Sequence, residues 1–455
     1  MQFISNLVLI LFLSMKIHLI AIGGSAMHNL AIALHNKGLT ISGSDDAIFN
    51  PSKDRLKKFN LLPKKIGWFP EKINSEIDTI ILGMHARENN PELIKARELN
   101  IPIYSYPEYI YEQSKTKKRI VIGGSHGKTS ISAMILHVLQ NLEINCDYMI
   151  GAQLEGFTTM VKLTEDAPII ILEGDEYLSS TIDRRPKFHL YKPNIGVISG
   201  IAWDHINVFP TFDIYVEQFR VFKNIISDTL IYCSEDNELN KLAKEESKCK
   251  LIPYSTLIHK IKNGITSVEN TELLIFGNHN LQNMNAALLV CKELGVSKKD
   301  FIKQISTFKG ASNRLELIKK NKSSAIYKDF AHSPSKLKAT CIAMKNQFTT
   351  RKLVACMELH TFSSLNKEFL KNYNGTMDTP DSAIIYFNKK SITHKKLSPI
   401  SKKQIYNAFE RRDLLIFTDS RKLEKHLKSL DWENSNLLMM SSGTFNGLKM
   451  DHLID

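Results

Sequence analysis

A glycine-rich stretch that ends in lysine and threonine is the part of the sequence best suited to chemistry. Its residues are Gly124, Ser125, His126, Gly127, Lys128, Thr129 and Ser130. Small residues let backbone N–H groups approach phosphate oxygens, the lysine adds a full positive charge, and the threonine hydroxyl can reach Mg²⁺. The stretch therefore predicts a loop that holds ATP. An ordinary turn is the alternative, because Ile122 stands where the general pattern has glycine.

Acidic side chains and a histidine follow two further apolar runs. Residues 168–172 predict a strand that delivers Glu173, with Asp175 and Glu176 close behind, and residues 195–199 predict a second strand before His205. The carboxyl ends of parallel strands meet at one edge of a sheet, and carboxylates there can hold Mg²⁺ on a nucleotide. We expect Glu173 and His205 to serve this purpose; a solvated turn and a structural histidine are the alternatives.

Two asparagines lie near the start of a predicted helix. Asn280 and Asn283 are three positions apart, so they share one face of that helix. Carboxamides at this place can bind an adenine edge or orient phosphates, whereas simple helix capping is the alternative.

The N-terminal part predicts a second nucleotide-binding loop. A strand over residues 17–22, a glycine turn, a helix and a strand over 39–42 are followed by an acidic residue about 20 positions after the glycines. Ala21 occupies the first glycine position of the dinucleotide fingerprint, so a uridine diphosphate is favoured over a redox dinucleotide. An arginine in the loop after strand 79–82 suits a phosphate or sugar, or is merely solvated. The candidate contacts are Gly23, Gly24, Ser25, Asp45 and Arg87.

The elements that must position these residues predict an α/β protein. Strands alternate with helical patterns throughout, including residues 352–356, 383–387, 414–417 and 437–440 near the end. With 455 residues, about three domains are expected. We predict a Rossmann-like domain at 15–115, a P-loop ATPase-like domain at 116–312 and a second Rossmann-like domain at 313–455.

Composition narrows the class of protein. The net charge of +13 comes from scattered lysines without a basic-aromatic motif, so a nucleic-acid partner is not expected. The six cysteines form no Cys-x-x-Cys pair, which indicates reduced thiols and a cytoplasmic location. Residues 1–14 are apolar, but they lack a basic region and are too short for a membrane span. We expect an appendage or a working start at Met15; a membrane anchor is the alternative.

Taken in order, the motifs at 124–129, 173–176 with 205, 277–283, and 314 with 329–334 resemble the Mur ligase family over residues 15–455. Members are ATP- and Mg²⁺-dependent amide-bond ligases of peptidoglycan synthesis. The resemblance implies that Lys128 holds the β- and γ-phosphates, that Thr129 and Glu173 hold one Mg²⁺ and that His205 holds a second. It also implies that Asn280, Asn283, Arg314 and Asp329 contact the nucleotide and that His332 is a substrate contact or proton acceptor. Departures include Ser125 in place of threonine.

Residues 23–27 and 42–45 resemble the branch that acts directly on UDP-N-acetylmuramate. Its murein-peptide ligases are favoured by residues 173–177, 182–188, 191–193, 84–87, 358–365 and 441–445. This resemblance implies joining L-alanyl-γ-D-glutamyl-meso-diaminopimelate to UDP-N-acetylmuramate through an acyl phosphate, in peptidoglycan recycling. The alternatives are the L-alanine ligase of de novo synthesis and a non-catalytic nucleotide- or UDP-sugar-binding protein. We expect small-molecule partners, no stable membrane association, and a monomer or weak dimer.

Overall fold

The computed structural model describes residues 15–454 except 85, 153, 155, 204–207, 312, 313 and 396. Contacts divide the chain into two compact units. The first extends to Ser255 and includes Asn285–Lys298, and the second comprises Thr256–Met284 together with the chain from Lys299 onward. Three main sheets with helices between their strands confirm the α/β class. No helix in the described part of the chain is long and apolar enough to cross a bilayer.

The first sheet is four-stranded, parallel and ordered β2-β1-β3-β4. The two central strands, β1 and β3, are largely buried, whereas β2 at one edge is polar and partly exposed. The strands are β1 Lys16–Ile20, β2 Thr40–Ser44, β3 Thr79–Leu82 and β4 Ile103–Ser105, and the helices are α1 Ser25–Asn36, α2 Ser52–Lys58, α3 Pro91–Glu98 and α4 Tyr106–Ser114. Both candidate nucleotide contacts Gly23 and Asp45 therefore follow the carboxyl ends of neighbouring strands.

The second sheet has seven strands in the order β11-β10-β9-β5-β8-β6-β7, all parallel except β7. The strands are β5 Lys118–Gly123, β6 Asp147–Met149, β7 Val161–Lys162, β8 Ile169–Glu173, β9 Ile195–Ile198, β10 Thr229–Cys233 and β11 Lys250–Tyr254. The helices are α5 Lys128–Asn141, α6 Lys187–Leu190, α7 Phe212–Ile225 and α8 Asn237–Lys244. Strand β5 lies between β8 and β9, so the loop after β5 opens at the edge where Glu173 ends β8.

The second unit contains a small antiparallel sheet that the sequence patterns did not predict. Its strands are β12 Lys260–Lys262, β13 Ile265–Val268 and β14 Thr271–Leu273, and they precede helices α9 Asn278–Glu293 and α10 Lys298–Ile305. Within this unit Thr266 Oγ1 donates to Gln347 Oε1 over 2.8 Å, and Gln347 Nε2 donates to Gly264 O over 2.7 Å.

The large sheet of the second unit is ordered β15-β16-β20-β17-β18-β19, with β15 antiparallel to β16. The strands are β15 Glu316–Lys320, β16 Ala325–Asp329, β17 Lys352–Leu359, β18 Ser382–Phe387, β19 Leu415–Phe417 and β20 Ser435–Met440. The helices are α11 Pro334–Gln347, α12 Lys367–Leu370, α13 Lys389–His394, α14 Lys402–Phe409 and α15 Ser420–Lys428. Hydrophobic clusters fill both faces of this sheet, which accounts for its near-continuous apolar strands.

A buried ion pair connects the first residue of β6 with the residue before β5. Lys117 Nζ lies 2.9 Å from Asp147 Oδ2, with side chains only 4% and 0% exposed. Breaking such a pair leaves an uncompensated buried charge. Asp147→Ala should therefore lower the free energy of unfolding by about 3–5 kcal/mol. Chemical denaturation measures the change.

The matched control is Glu112→Ala, which removes an exposed partner of Lys115 and should cost about 0–1 kcal/mol. Equal losses in the two variants would show that the buried pair contributes nothing particular to stability.

Candidate active site

The loop after β5 has a backbone that favours glycine. Gly124 has φ +117° and Gly127 has φ +80°, and Gly127 is the N-cap of α5. The loop is held against the end of β9, because Ser199 N donates to Gly123 O over 3.1 Å and Ser125 N donates to Gly200 O over 3.0 Å. Strand, left-handed glycine turn and helix N-terminus together form the cradle for phosphate that the sequence predicts.

Lys128 lies at the mouth of this loop with its ammonium against oxygen atoms. Its Nζ donates to Gly124 O and to Glu176 Oε2, each over 2.7 Å. Burial by itself lowers the pKa of Lys128, but the charges of Glu176 and Asp175 outweigh burial and raise it. The lysine is therefore fully charged at neutral pH, as a phosphate-binding lysine must be.

Thr129 and Glu173 meet beside the lysine. Thr129 Oγ1 donates to Glu173 Oε1 over 2.8 Å, and Gly151 N donates to Glu173 Oε2 over 2.7 Å. A hydroxyl and a carboxylate are hard oxygen donors of the kind that Mg²⁺ prefers, so these two residues fit the metal. The predicted ligand His205 lies outside the described residues. Among the residues that are described, no cluster of three or more His, Cys, Asp or Glu side chains is arranged to hold a metal ion.

Asp175 belongs to the same acidic cluster but is directed to a different lysine. Lys187 Nζ donates to Asp175 Oδ2 over 2.7 Å. Burial would raise the pKa of Asp175, but Lys187 and Lys128 lower it to about 2. Lys187, Tyr215 and Ser199 are site residues that sequence reasoning missed, because their positions depend on the folded chain and no local motif marks them.

The other predicted residues of the glycine loop, His126 and Ser130, lie next to the phosphate cradle and contact the protein itself. His126 Nδ1 lies 2.7 Å from Ser125 O, and Ser199 Oγ donates to His126 O. Ser130 is buried in the first turn of α5.

The N-terminal loop brings Gly23 and Asp45 together. Gly23 N donates to Asp45 Oδ2 over 2.7 Å, and burial raises the pKa of Asp45 in spite of that bond. Ala21, at the position where the fingerprint has glycine, adopts φ +69°. The alanine thus takes the left-handed conformation that normally favours glycine, and the turn forms without it.

The other N-terminal candidates are arranged around this pair. Gly24 is the N-cap of α1, and Ser25 begins that helix with its side chain exposed. Arg87 is exposed in the turn after β3, where its carbonyl oxygen accepts from Asn90 N over 3.0 Å.

In the second unit, Asp329 is buried at the end of β16 and accepts hydrogen bonds from the backbone. Leu315 N donates to Oδ2 and Ala331 N donates to Oδ1, each over 2.7 Å. Burial raises the pKa of Asp329, and the nearby His279 opposes that shift. His279 is a further residue that the sequence analysis passed over, although it stands next to Asn280.

Asn280 and Asn283 are both buried in the first turns of α9. Asn280 Nδ2 donates to Phe276 O over 3.0 Å, so this amide stabilises the turn before the helix. This bond differs from helix capping, in which a side-chain oxygen accepts from a backbone N–H.

Arg314 and His332 both contact Phe330. The Arg314 guanidinium carbon lies 4.7 Å from the centre of the Phe330 ring, and the His332 ring meets the same ring edge to face at 5.0 Å. Tyr373 OH donates to His332 O over 2.6 Å. These residues thus form one cluster after β16.

A second buried carboxylate in this unit lies at the end of β17. Glu358 Oε2 accepts from Ser441 Oγ over 2.5 Å and from Phe445 N over 2.8 Å, while Oε1 lies 3.8 Å from His360 Nδ1. Glu358 has no predicted role.

Comparison with known proteins identifies the family of this chain. The model of the Mur ligase family catalytic domain matches residues 16–118, and that of the Mur ligase middle domain matches residues 122–291. A UDP-N-acetylmuramate–L-alanine ligase from Sulfurihydrogenibium sp. is 30% identical over 81% of this chain and 82% of its own length. The ligase of the same name from Clostridium kluyveri is 28% identical over 94% of this chain and 95% of its own.

Two solved structures share the fold. A UDP-N-acetylmuramate–alanine ligase from Thermotoga maritima has a TM-score of 0.70 at 18% identity and covers 95% of this chain and 97% of its own. A murein peptide ligase from Psychrobacter arcticus has a TM-score of 0.62 at 21% identity with the same coverage. The chain belongs to the Mur ligase family. It is accordingly an ATP-dependent ligase of peptidoglycan synthesis that forms a carbon–nitrogen bond.

The loop glycine that packs on β9 provides a test of the cradle. A Cβ added to Gly124 would lie 2.7 Å from Ser199 N, on a backbone with φ +117°. Steric overlap and the left-handed backbone together predict that Gly124→Ala loses about 2–5 kcal/mol of stability. We expect a lower thermal midpoint and weakened ATP binding, measured by calorimetry.

The control is Gly156→Ala, which shares a positive φ of +83° but whose added Cβ would meet no atom of the described residues within 4 Å. It should lose only about 1–2 kcal/mol, the cost of the backbone conformation. If Gly124→Ala lost no more stability and no more ATP affinity than this control, the close packing of the loop on β9 would be irrelevant to nucleotide binding.

Proposed function

We propose that this chain joins L-alanine to the lactyl carboxylate of UDP-N-acetylmuramate at the expense of ATP. The observation that carries the proposal is the cluster at the carboxyl edge of the central sheet, where Lys128 lies in the glycine loop and Thr129 Oγ1 is 2.8 Å from Glu173 Oε1. The acceptor is supported by relatives named as L-alanine ligases that span nearly the whole chain. They favour this alternative over the tripeptide that the sequence motifs suggest.

In the proposed reaction the protein contributes mainly positioning and positive charge, because both steps develop negative charge on oxygen. Lys128 holds the β- and γ-phosphates, and the backbone of Gly124–Ser130 surrounds them. Thr129 and Glu173 would hold Mg²⁺, with His205 as a further proposed ligand. A bound Mg²⁺ would neutralise phosphate charge.

The N-terminal loop is the proposed site for the UDP-sugar. Gly23 and Gly24 lie at the start of α1, where the helix dipole favours an anion. Asp45 is the proposed acceptor for a ribose hydroxyl, and Ser25 and Arg87 are the proposed partners of the diphosphate and sugar.

The second unit supplies the proposed remaining contacts. Asn280, Asn283, Arg314 and Asp329 are assigned to the nucleotide. His332 is assigned to the acceptor, either as a contact or as the group that takes the proton of the attacking amine.

L-Alanyl-γ-D-glutamyl-meso-diaminopimelate is the second candidate acceptor. The observation that favours it is the long segment between β8 and β9, whose residues 177–193 resemble the murein-peptide ligases. This segment reaches the N-terminal sheet, where Thr181 Oγ1 donates to Ala86 O over 2.5 Å and Arg185 lies 3.3 Å from Glu108.

A ligase assay with both acceptors distinguishes these candidates. Protein, ATP, Mg²⁺ and UDP-N-acetylmuramate are incubated with L-alanine or with the tripeptide, and products are identified by mass. We expect the L-alanine adduct and phosphate release that requires all three substrates. The tripeptide adduct alone would make the enzyme a recycling ligase. No product from protein that still binds ATP would indicate a non-catalytic binding protein.

Single substitutions test the assigned roles. Lys128→Ala removes the charge that meets the phosphates, and His205→Ala removes a proposed metal ligand. Each should reduce kcat by about 10²–10³-fold or more while the fold persists, because electrostatic stabilisation is the main catalytic term. Steady-state kinetics and circular dichroism measure the two properties.

Lys241→Ala is the matched control for the lysine, because Lys241 lies on α8 with a side chain that is 71% exposed. It should turn over at the wild-type rate. Near-normal turnover in Lys128→Ala or His205→Ala would contradict that residue's assignment.

A further inference from the structure

A chain of hydroxyl groups connects the glycine loop to the carboxylate beside Lys128. Ser125 Oγ lies 2.8 Å from Tyr215 OH, and Tyr215 OH lies 3.0 Å from Glu176 Oε1. Glu176 Oε2 in turn accepts from Lys128 Nζ over 2.7 Å. Tyr215 is on α7, 90 residues from Ser125 in sequence, so the fold and not a local motif produces the arrangement.

The direction of each hydrogen bond in this series of hydroxyl groups is defined. An ionised carboxylate only accepts, so the single phenolic hydrogen of Tyr215 is donated to Glu176. Ser125 must then donate its hydroxyl hydrogen to Tyr215, and its oxygen accepts from Ala202 N over 2.8 Å. Both oxygens of Glu176 are thus engaged, one by the phenol and one by the ammonium.

The surroundings make this arrangement rigid. Glu176 is 1% exposed and Tyr215 is 0% exposed. The Tyr215 ring packs against Phe209 and Phe219, with centroid separations of 5.5 Å and 5.2 Å. Hydrogen bonds to a buried charge are stronger than those in water, and a fully connected network orders its members.

We propose that Tyr215 and Ser125 are positioning residues that hold Glu176, and through it the Lys128 ammonium, in the place where the nucleotide phosphates bind. This inference rests on the proposed role of the loop in binding ATP. A Lys128 ammonium has three donors, of which Gly124 O and Glu176 Oε2 take two. When those two hydrogen bonds are fixed, the third N–H of Lys128 is left to donate to a ligand. Without the phenol, Glu176 loses a partner and Lys128 loses its fixed orientation.

The test is a double-mutant cycle that removes only hydroxyl groups. Tyr215→Phe keeps the packed ring, and Ser125→Ala keeps the loop backbone. Each should raise both the Kd and the KM for ATP about tenfold, the effect of losing one hydrogen bond in a charged network. The KM for UDP-N-acetylmuramate should not change. In the double variant the Kd for ATP should rise by much less than a hundredfold, since both substitutions break the same series of hydrogen bonds.

Two further variants keep the test falsifiable. Ser125→Thr, in contrast to Ser125→Ala, keeps a hydroxyl at this position and should bind ATP with wild-type affinity. Tyr254→Phe is the matched control: Tyr254 is buried in β11 of the same sheet, and its hydroxyl has no hydrogen-bond partner among the described residues. Its ATP affinity should equal that of the wild type, and thermal midpoints should show that all variants fold.

The outcomes separate this inference from the proposed function. If Tyr215→Phe binds ATP as well as Tyr254→Phe does, or if the two single effects simply add, the positioning role is wrong even when the enzyme ligates. If the wild type binds ATP but ligates neither acceptor, the proposed function fails while the Kd measurements still decide the inference. A wild type that binds no ATP would overturn both.

Discussion

The balance of charge at the carboxyl edge of the central sheet is the constraint on which the candidate site depends. Three carboxylates, Glu173, Asp175 and Glu176, stand within four residues, and they would repel one another if they were left alone. Lys128 and Lys187 each neutralise one of them at 2.7 Å. Glu173 is stabilised by a hydroxyl and a backbone N–H, neither of which carries a formal charge. The uncompensated negative charge therefore lies beside Thr129, where a divalent cation fits the local chemistry.

The two candidate nucleotide-binding loops of the first unit achieve a left-handed turn with different residues. In the central loop, Gly124 must be glycine, because its backbone is left-handed and an added Cβ would overlap Ser199. In the N-terminal loop, Ala21 takes φ +69° and keeps its Cβ. Gly83, directly after β3, has no side chain, and a Cβ there would lie 3.0 Å from the Cβ of Ala21. The glycine after the neighbouring strand therefore leaves the space that the Ala21 side chain occupies. This explains how the turn tolerates the loss of the fingerprint glycine.

Much of this arrangement could be predicted because parallel sheets follow simple rules. Apolar runs marked the central strands. The rule that parallel strand ends converge predicted that Glu173 would lie at the edge of the sheet where the glycine loop opens, and Thr129 Oγ1 lies 2.8 Å from Glu173 Oε1 there. Tyr215 could not be found in this way, since its hydroxyl reaches the loop from a helix whose pattern predicts only an amphipathic face. The strands at 260–273 were missed because they are short and largely polar or exposed, so they lack the apolar run that marks a buried strand. Arg87, Arg314 and His332 remain predictions, because their proposed partners are ligands.

The proposed reaction separates activation of the carboxylate from attack by the amine. Activation of a carboxylate by ATP involves no amine, so the residues around Lys128 can be indifferent to the acceptor. Selection between a single amino acid and a tripeptide must then depend on groups that meet the amine and its substituents. The second unit holds two buried carboxylates at strand ends, Asp329 and Glu358, and each is tied to backbone N–H groups that keep it in place. Groups held in this way can recognise a substrate without rearrangement. In the proposed reaction, the residues that bind ATP identify the family, and the residues that meet the amine select the acceptor.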